Sequence, residues 1–286
     1  MSVIHMTYTG SCKFNNQVFL CSNMNASLDQ KLLFYDHIVG LRDVISTSEN
    51  AAGSKKGESG VATNNRQKMV YRYSPAIAKA SFSGPIPVEN FEKIFNAAIR
   101  GDTVEVEMVF WETNAPSVTI GNAKIETFTI DLKAGEIATF SVGLTGAEYK
   151  FSEGSSSEAS ACQRLLTWDA CAVSVSEILS DISTFQMTIN NPVVPIYTTR
   201  WTEDEASGGL MPQKIRIGIQ EVSGSLGIYS AKTIDVPTSS NITVKLAALS
   251  KTFKAGFGQP KDDASGGPYV RTIMFTGVND GDVWQS

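Results

Sequence analysis

The chain has 286 residues, an apolar content of 42% and a net charge of −5, with an isoelectric point near 5.2. That length suffices for one large domain or two modest ones. The acidic balance argues against a basic nucleic-acid groove, and no apolar run reaches the roughly 18 residues of a membrane span. The N-terminus lacks the basic start and apolar stretch of a secretory signal, so we expect synthesis in the cytoplasm, where disulfides are uncommon.

Four cysteines fall into two pairs of equal spacing. Cys12 and Cys21 stand nine positions apart, and Cys162 and Cys171 repeat that spacing 150 residues later. Zinc sites usually bring two cysteines within roughly two to four residues of each other, and no such pair exists in this sequence. We therefore interpret the thiols as small buried apolar side chains, with a four-cysteine zinc site as the alternative, and predict no cofactor.

A long polar segment follows, STSENAAGSKKGESGVATNNR at 46–66, in which Val61 is the one larger aliphatic residue. A loop of this length in a compact domain is usually functional or disordered. Its glycines and its two lysines, Lys55 and Lys56, lack the preceding strand and following helix of a phosphate-binding loop. We interpret the segment as a solvated loop.

One helix is predicted, in VENFEKIFNAAIRGD at 88–102. Its apolar residues recur at helical spacing and form one face: Phe91, Ile94, Phe95, Ala98 and Ile99. Pro87 marks the start of this helix and Gly101 its end.

The residues after the helix alternate as in half-buried strands. In DTVEVEMVFWE, Val104, Val106 and Met108 are predicted to pack inward, which leaves Glu105 and Glu107 on the opposite face. ETFTIDL and ATFSVGL form a predicted hairpin around Gly135. The first of these strands is expected to bury Phe128, Ile130 and Leu132 and to expose Thr127, Thr129 and Asp131.

The second half continues as a β protein. FSEGSSSEASA at 151–161 has the composition of a linker, so we expect a first module over 1–150 and a second over 151–286. Residues 163–182 fit no single period. Strands are predicted within 214–229, 241–249 and 269–278.

Several features of the first half recur in the same order in the second. The dipeptides Ser83-Gly84 and Ser223-Gly224 precede corresponding strands at an offset of about 140 to 146 residues. VEVEMVFW then matches NITVKLAAL, and FSVGLTGA matches IMFTGVND. Together with the cysteine spacing, this order indicates an internal duplication.

No pattern in the chain points to catalysis. A Ser-His-Asp triad would need His5 or His37, which lie in the N-terminal segment and in an apolar run. Glu105 and Glu107, two apart on a polar strand face, are more typical of a solvated sheet than of an acid/base pair. The acidic stretch at 201–209 lacks the ligand spacing of a calcium loop and is interpreted as a charged turn. The chain is predicted not to be an enzyme.

Two stretches carry a resemblance to a known family. STFQMTINNPVVPIYTTRWTEDEASGGLMPQKIRIGIQEVSGSLGIYS has a strand ending in Asn190-Asn191, a polar excursion, and Val222-Ser223-Gly224 between strands. RQKMVYRYSPAIAKASFSGPIPVENFEKIFNAAIRGDTVEVEMVFW shows the same core with a packing helix, and KIETFTIDLKAGEIATFSVGLTG resembles closing strands. The chain thereby resembles the tail tube (major tail) proteins of tailed phages.

The resemblance implies a mainly β fold of two tandem tail-tube-like β-sandwich or barrel modules, with a short packing helix clear in the first. It implies a structural virion protein, made in the host cytoplasm and located in the tail. Rings of three or six chains would stack into a tube that conducts DNA without binding it specifically. Further implied partners are tape measure, sheath, tail terminator and baseplate proteins, with no membrane.

The resemblance also gives roles to particular residues. The lumen of the tube would be lined by Glu105, Glu107, Thr127, Thr129 and Asp131, and an arm between rings would carry Lys55 and Lys56. One alternative is a related ring, such as a tail terminator, a hub or the tube of a contractile injection machine. Another is a duplicated carbohydrate-binding β-sandwich, although the four tryptophans, Trp111, Trp168, Trp201 and Trp284, share no spacing.

Overall fold

The computed structural model describes most of the chain and is mainly β, as predicted. The described residues are 8–29, 32–35, 70–73, 76–111, 116–152, 163–175, 182–197, 211–229, 236–263, 270–278 and 284–285. Lys55, Lys56 and Cys162 therefore lie outside them. The chain divides into a large compact unit (1–29, 77–199 and 211–286) and a small one (30–76 and 200–210).

Strands dominate both halves of the chain. The first half contains β1 (Gly10–Phe14), β2 (Gln17–Cys21), β3 (Asn23–Asp29), β4 (Leu32–Tyr35), β5 (Val70–Tyr73), β6 (Ile77–Pro85), α1 (Phe91–Arg100), β7 (Val104–Phe110), β8 (Ser117–Lys133), β9 (Thr139–Gly146) and β10 (Glu148–Ser152). The second contains a 3-10 turn (Trp168–Ala170), β11 (Cys171–Val175), β12 (Ile182–Asn190), β13 (Val193–Ile196), β14 (Lys214–Ile217), β15 (Glu221–Tyr229), β16 (Ser239–Leu246), β17 (Leu249–Phe257), β18 (Lys261–Asp263), β19 (Val270–Gly277) and β20 (Trp284–Gln285).

The small unit is represented by one antiparallel pair, β4 with β5. In the large unit, 16 strands join into one antiparallel sheet, and β13 and β14 form a separate pair. Apart from β4, β5 and Ala76, the described residues of both halves of the chain belong to this large unit. The division into modules at 1–150 and 151–286 stays a prediction.

Strand β8 connects two parts of the large sheet. Its N-terminal half pairs with β7, which continues through β1 to β2; these strands form the short part of the sheet. Its C-terminal half pairs with β12 on that same edge, and β9 and β10 run along its other edge. The long part of the sheet therefore runs β3-β6-β9-β8-β12-β15-β19-β17-β16-β11. Asn122, at φ 47°, and a register shift between Ile125 and Thr127 mark where β8 passes between the two parts.

The two halves of the chain repeat one strand order. The first half pairs β3-β6-β9-β8-β7-β1, and the second pairs β12-β15-β19-β17-β16-β11, with every pair antiparallel. A register irregularity recurs as well. The pairing of β8 with β9 gains one residue after Ile125, and the pairing of β17–β18 with β19 gains one residue after Phe257.

The helix α1 packs its apolar face against the long part of the sheet. The ring of Phe91 lies 5.9 Å from Phe128 and 5.4 Å from Phe140, and the ring of Phe95 lies 5.5 Å from Phe128. Gly101, at φ 65°, ends the helix in the left-handed region, as predicted. Pro87 instead forms a β-bridge with Leu165 before the helix begins. One continuous core joins residues from both parts of the sheet.

Three of the four cysteines lie among the described residues, and all three are free thiols. Cys12 and Cys21 are buried, as predicted, and burial followed by the neighbouring Cys21 thiol raises the pKa of Cys12 well above its usual value. Cys171 is half-buried, and burial raises its pKa to about 11. Within the described ranges no group of ligating side chains could hold a metal ion.

Candidate lumen surface and module junction

The polar face of β8 and its neighbours carries three of the residues that the sequence predicts to line a lumen. Phe128, Ile130 and Leu132 are fully buried, so the predicted alternation is confirmed. Residues 127, 129 and 131 point away from the core, and those at 127 and 131 are exposed. Such alternation arises because successive strand residues face opposite sides of a sheet.

Hydroxyl and amide side chains extend this face over the adjoining strands. The hydroxyl oxygens of Thr129 and Thr188 lie 3.0 Å apart across the pairing of β8 with β12. Ser141 stands opposite Thr129 on β9, and Gln186 stands opposite Asp131 on β12. A shallow depression of about 390 Å³ lies on this face. Its lining includes Ser22, Ser83, Thr129, Asp131, Thr139, Ser141 and Gln186.

Asp131 is the acid of this surface. Partial burial of its carboxyl in the sheet surface, followed by repulsion from Glu136, raises the pKa of Asp131, and Lys133 partly opposes the shift. Lys133 is itself in contact with Glu136 through an exposed ion pair. The surface is therefore rich in hydroxyl groups, and the lysine that β8 places on it is paired with an acid.

The glutamates of β7 belong to the short part of the sheet instead. Val104, Val106 and Met108 are buried beside them, which confirms the inward set of that strand. Glu107 pairs directly with Lys13 of β1, and the Lys13 Nζ lies 3.7 Å from its carboxylate. The sequence analysis missed this lysine, because nothing in the local pattern says that β1 adjoins β7.

The two sets of residues predicted to line the lumen thus lie on different parts of the sheet. Glu105 and Glu107 are on the strand that pairs with the N-terminal half of β8, whereas 127–131 belong to its C-terminal half. Lys55, Lys56 and the acidic stretch at 201–205 lie outside the described residues. The lumen and arm assignments stay predictions.

A buried polar network fastens the end of α1 to the second half of the chain. The Asn191 side chain is fully buried and donates to the carbonyl oxygens of Ala98 and Ile125, at 2.9 and 3.0 Å. The Gln220 side-chain amide donates to the Ala98 carbonyl at 3.1 Å and to the Ile99 carbonyl at 3.0 Å. It also donates to the side-chain oxygen of Asn191 at 2.8 Å.

Two further side chains complete this helix end. The Trp284 indole N–H donates to the side-chain oxygen of Gln220 at 2.9 Å. The Lys124 ammonium donates to the Gly101 carbonyl at 2.6 Å, and burial lowers the pKa of Lys124. The last carbonyl groups of a helix have no partner within the helix, so these side chains supply donors that α1 needs. The network has a structural role, because each donor is hydrogen-bonded to a backbone carbonyl or to another side chain of the network.

A comparison with protein families gives a match over residues 41–277 to the phage tail tube protein family. The match covers most of the chain and both of its halves. The chain belongs to the phage tail tube protein family. A comparison with curated proteins found no match.

Membership in the tail tube family identifies the chain as a structural component of the phage tail. The family's role is assembly with further copies in the tail, which agrees with a molecule built around an extended sheet. No helix among the described residues is long and apolar enough to cross a membrane.

Proposed function

We propose that copies of this chain close into rings, that the rings stack into the tail tube, and that the tube conducts DNA during infection. The observation that carries this proposal is the continuous long part of the sheet, which presents a hydroxyl-rich face where β8 of the first half pairs with β12 of the second. Closing such a sheet around a channel would leave no open edge.

Each half of the chain would supply one module of the ring. The repeated strand order and the repeated register shift support a duplicated module over 1–150 and 151–286. With six modules in a ring, three chains would close it, whereas six chains would be needed if one module of each lined the channel. Native mass spectrometry of isolated rings separates these two numbers.

The lumen would be lined by the face that carries Thr127, Thr129 and Asp131. The hydroxyls are uncharged, Asp131 is acidic, and Lys133 on the same face is paired with Glu136. Such a face attracts phosphate groups little, so DNA would pass without adhering. Glu105 and Glu107 are the second predicted lining set, and they require a test of their own because they lie on the short part of the sheet.

The arm between rings would be the polar segment 46–66. Its composition cannot bury enough apolar surface to fold alone, so a neighbouring ring would order it, with Lys55 and Lys56 against acidic residues. Tape measure, sheath, tail terminator and baseplate proteins are the further proposed partners of the tube.

Electron microscopy of the purified protein tests assembly directly. Rings or long tubes are expected, and a protein that stays monomeric at high concentration would contradict the proposal. The lining is tested in virions carrying Asp131→Lys, with the double change Glu105→Lys and Glu107→Lys in a second strain.

We expect Asp131→Lys tubes to assemble, because the side chain does not support the core, and to lose infectivity, because DNA adheres to the added cation. Full infectivity of tubes that contain Asp131→Lys would exclude a lumen role for this face. The double variant reports separately on the face of β7.

A further inference from the structure

The junction between the two halves shows how one module joins the next. The C-terminal half of β8 pairs with β12 in seven register positions, from Thr127 opposite Asn190 to Lys133 opposite Thr184. Thr129 lies directly opposite Thr188, and apolar residues of both strands are fully buried beneath them. This junction is formed by backbone pairing over a shared core, which is a strong and specific way to join modules.

The strand that corresponds to β8 in the second half is β17 followed by β18. Ile125 pairs with Leu144 immediately before the register shift of the first half, and Phe257 pairs with Phe275 immediately before that of the second. Counting on from these two positions, Gln259 corresponds to Thr127. Lys261 likewise corresponds to Thr129.

The strand that corresponds to β12 in the first half is β3. Leu144 pairs with Ala80 and Phe275 pairs with Gly224, so those two partners are equivalent. Ala80 in turn pairs with Ala26, and Gly224 pairs with Met187. Ser27 therefore corresponds to Thr188 and Leu28 to Ile189.

Both corresponding edges are open within the described part of the chain. There β3 pairs with β6 alone and β18 with β19 alone. Ile189 is fully buried in β12, whereas its counterpart Leu28 is 39% exposed. An exposed strand edge with an exposed apolar side chain is a ready site for pairing with another strand.

We propose that the edge of one chain at 259–263 pairs with β3 of a second copy, antiparallel, in the register of the internal junction. Ser27 of one copy would then lie opposite Lys261 of the other, and Asp29 opposite Gln259. The contact joins two different surfaces, so repeated contacts close a ring when the rotation permits. This pairing rests on the proposed tube function and specifies the edges and the register.

The register is tested by disulfide formation in assembled tubes. The double variants S27C/K261C and D29C/Q259C place cysteines in register, and S27C/Q259C displaces one cysteine by two residues. Directly opposed Cβ atoms lie about 4.5 to 5.5 Å apart and diagonal ones about 7 to 8 Å apart, whereas a disulfide needs about 4 Å. Wild-type tubes, treated with the same oxidant, give the background from the native cysteines.

We expect most in-register variant chains to move into covalent multimers on non-reducing gels, with the linked peptides identified by mass spectrometry. The displaced variant should stay at the wild-type background. Preferential linkage of the displaced pair would overturn the register. A second measurement needs no variant. The amides of 25–29 and 259–263 that point away from β6 and β19 should exchange with deuterium far more slowly in wild-type tubes than in free subunits.

The outcomes separate this pairing from the function on which it rests. If tubes form while these amides stay unprotected, the tube role stands and the proposed edges are wrong. If the wild-type protein forms neither rings nor tubes, the tube proposal fails and the pairing fails with it.

Discussion

Strands β3 and β12 occupy the same place in the two halves of the chain, but their surroundings differ. β12 lies between β8 and β15 and buries every second residue, whereas β3 has one described neighbour and is largely exposed. Their sequences follow that difference, with NMNASLD in β3 and ISTFQMTIN in β12. The comparison shows one strand position in two states: a polar edge strand with one described neighbour, and an interior strand that is paired on both sides.

The largest expected effect is on the free energy of unfolding, at the apolar residues that take the same position in β12 and β3. Ile189→Ala should lower the free energy of unfolding of the free subunit by about 2 to 5 kcal/mol, because it leaves a cavity in a packed core. Leu28→Ala, the matched change in β3, should cost less than about 1 kcal/mol in the free subunit. Chemical denaturation of unassembled protein measures both.

Equal losses at the two positions would show that β3 is already covered in the free subunit. In tubes, by contrast, Leu28→Ala should lower the temperature at which the assembly dissociates, because pairing with a second copy would bury this side chain as Ile189 is buried.

A smaller effect is expected at the network that joins the halves. Asn191→Ala removes the amide that donates to the Ala98 and Ile125 carbonyls, so these buried acceptors lose a partner. The loss should lower the free energy of unfolding by about 1 to 3 kcal/mol. The neighbouring Asn190→Ala, at a half-buried position, should stay within about 0.5 kcal/mol. The same denaturation experiment compares them.

Combining Asn191→Ala with Gln220→Ala tests whether the two amides act together. Their direct hydrogen bond predicts a coupling energy of about 0.5 kcal/mol or more in a double-mutant cycle. Strictly additive losses would show that each amide serves the helix end independently.

The thiols give a third contrast between the halves. Cys12 is fully buried, so an alkylating reagent should leave it unmodified in the folded protein. Cys171 is half-buried with a pKa of about 11, so it should react slowly near pH 8 and faster as the pH approaches that value. Mass spectrometry after timed labelling locates each modification. Rapid labelling of Cys12 would show that the hairpin of β1 and β2 opens readily.

Local periodicity was sufficient to predict several elements of this fold. The inward and outward sets of β7 and of the C-terminal half of β8 follow from strict alternation, and α1 follows from apolar spacing and Gly101. The hairpin of β1 and β2 was missed, although Asn15 and Asn16 both take the positive φ that its turn requires. The N-terminal half of β8 was missed because Gly121 and Asn122 are typical of a turn, whereas in this protein they lie within a bent strand.

Long-range features could not be predicted from local patterns. The neighbours of β8 come from positions far apart in the chain, and so do Asn191 and Gln220, which meet at the end of α1. The cysteine spacing shows the same limit. Cys171 lies in β11, whose place in the strand order is that of β1. Cys21 lies in β2, so the strand order does not relate Cys171 to Cys21. The strand order repeats although the cysteine positions do not.

The smallest expected effect concerns the charge at the internal junction. The pKa of Asp131 is raised in the folded protein, chiefly by burial, so ionisation is harder there than in the unfolded chain. A raised folded-state pKa gives a stabilising contribution that is complete below the unfolded value near 3.8 and is lost as the pH rises through the folded value. Asp131→Asn removes this loss, so the variant should be at least as stable as the wild type at pH 7, with a difference that shrinks toward pH 3. Denaturation midpoints of the wild type and of Asp131→Asn, measured between pH 3 and pH 7, give this difference in stability.

Glu136→Gln is the matched control. It removes the second cause of the raised Asp131 pKa, so a protein that carries Glu136→Gln should show a smaller change on Asp131→Asn than the wild type does. A variant Asp131→Asn that is less stable than the wild type at pH 7 would show that the ionised carboxylate stabilises the junction with β12.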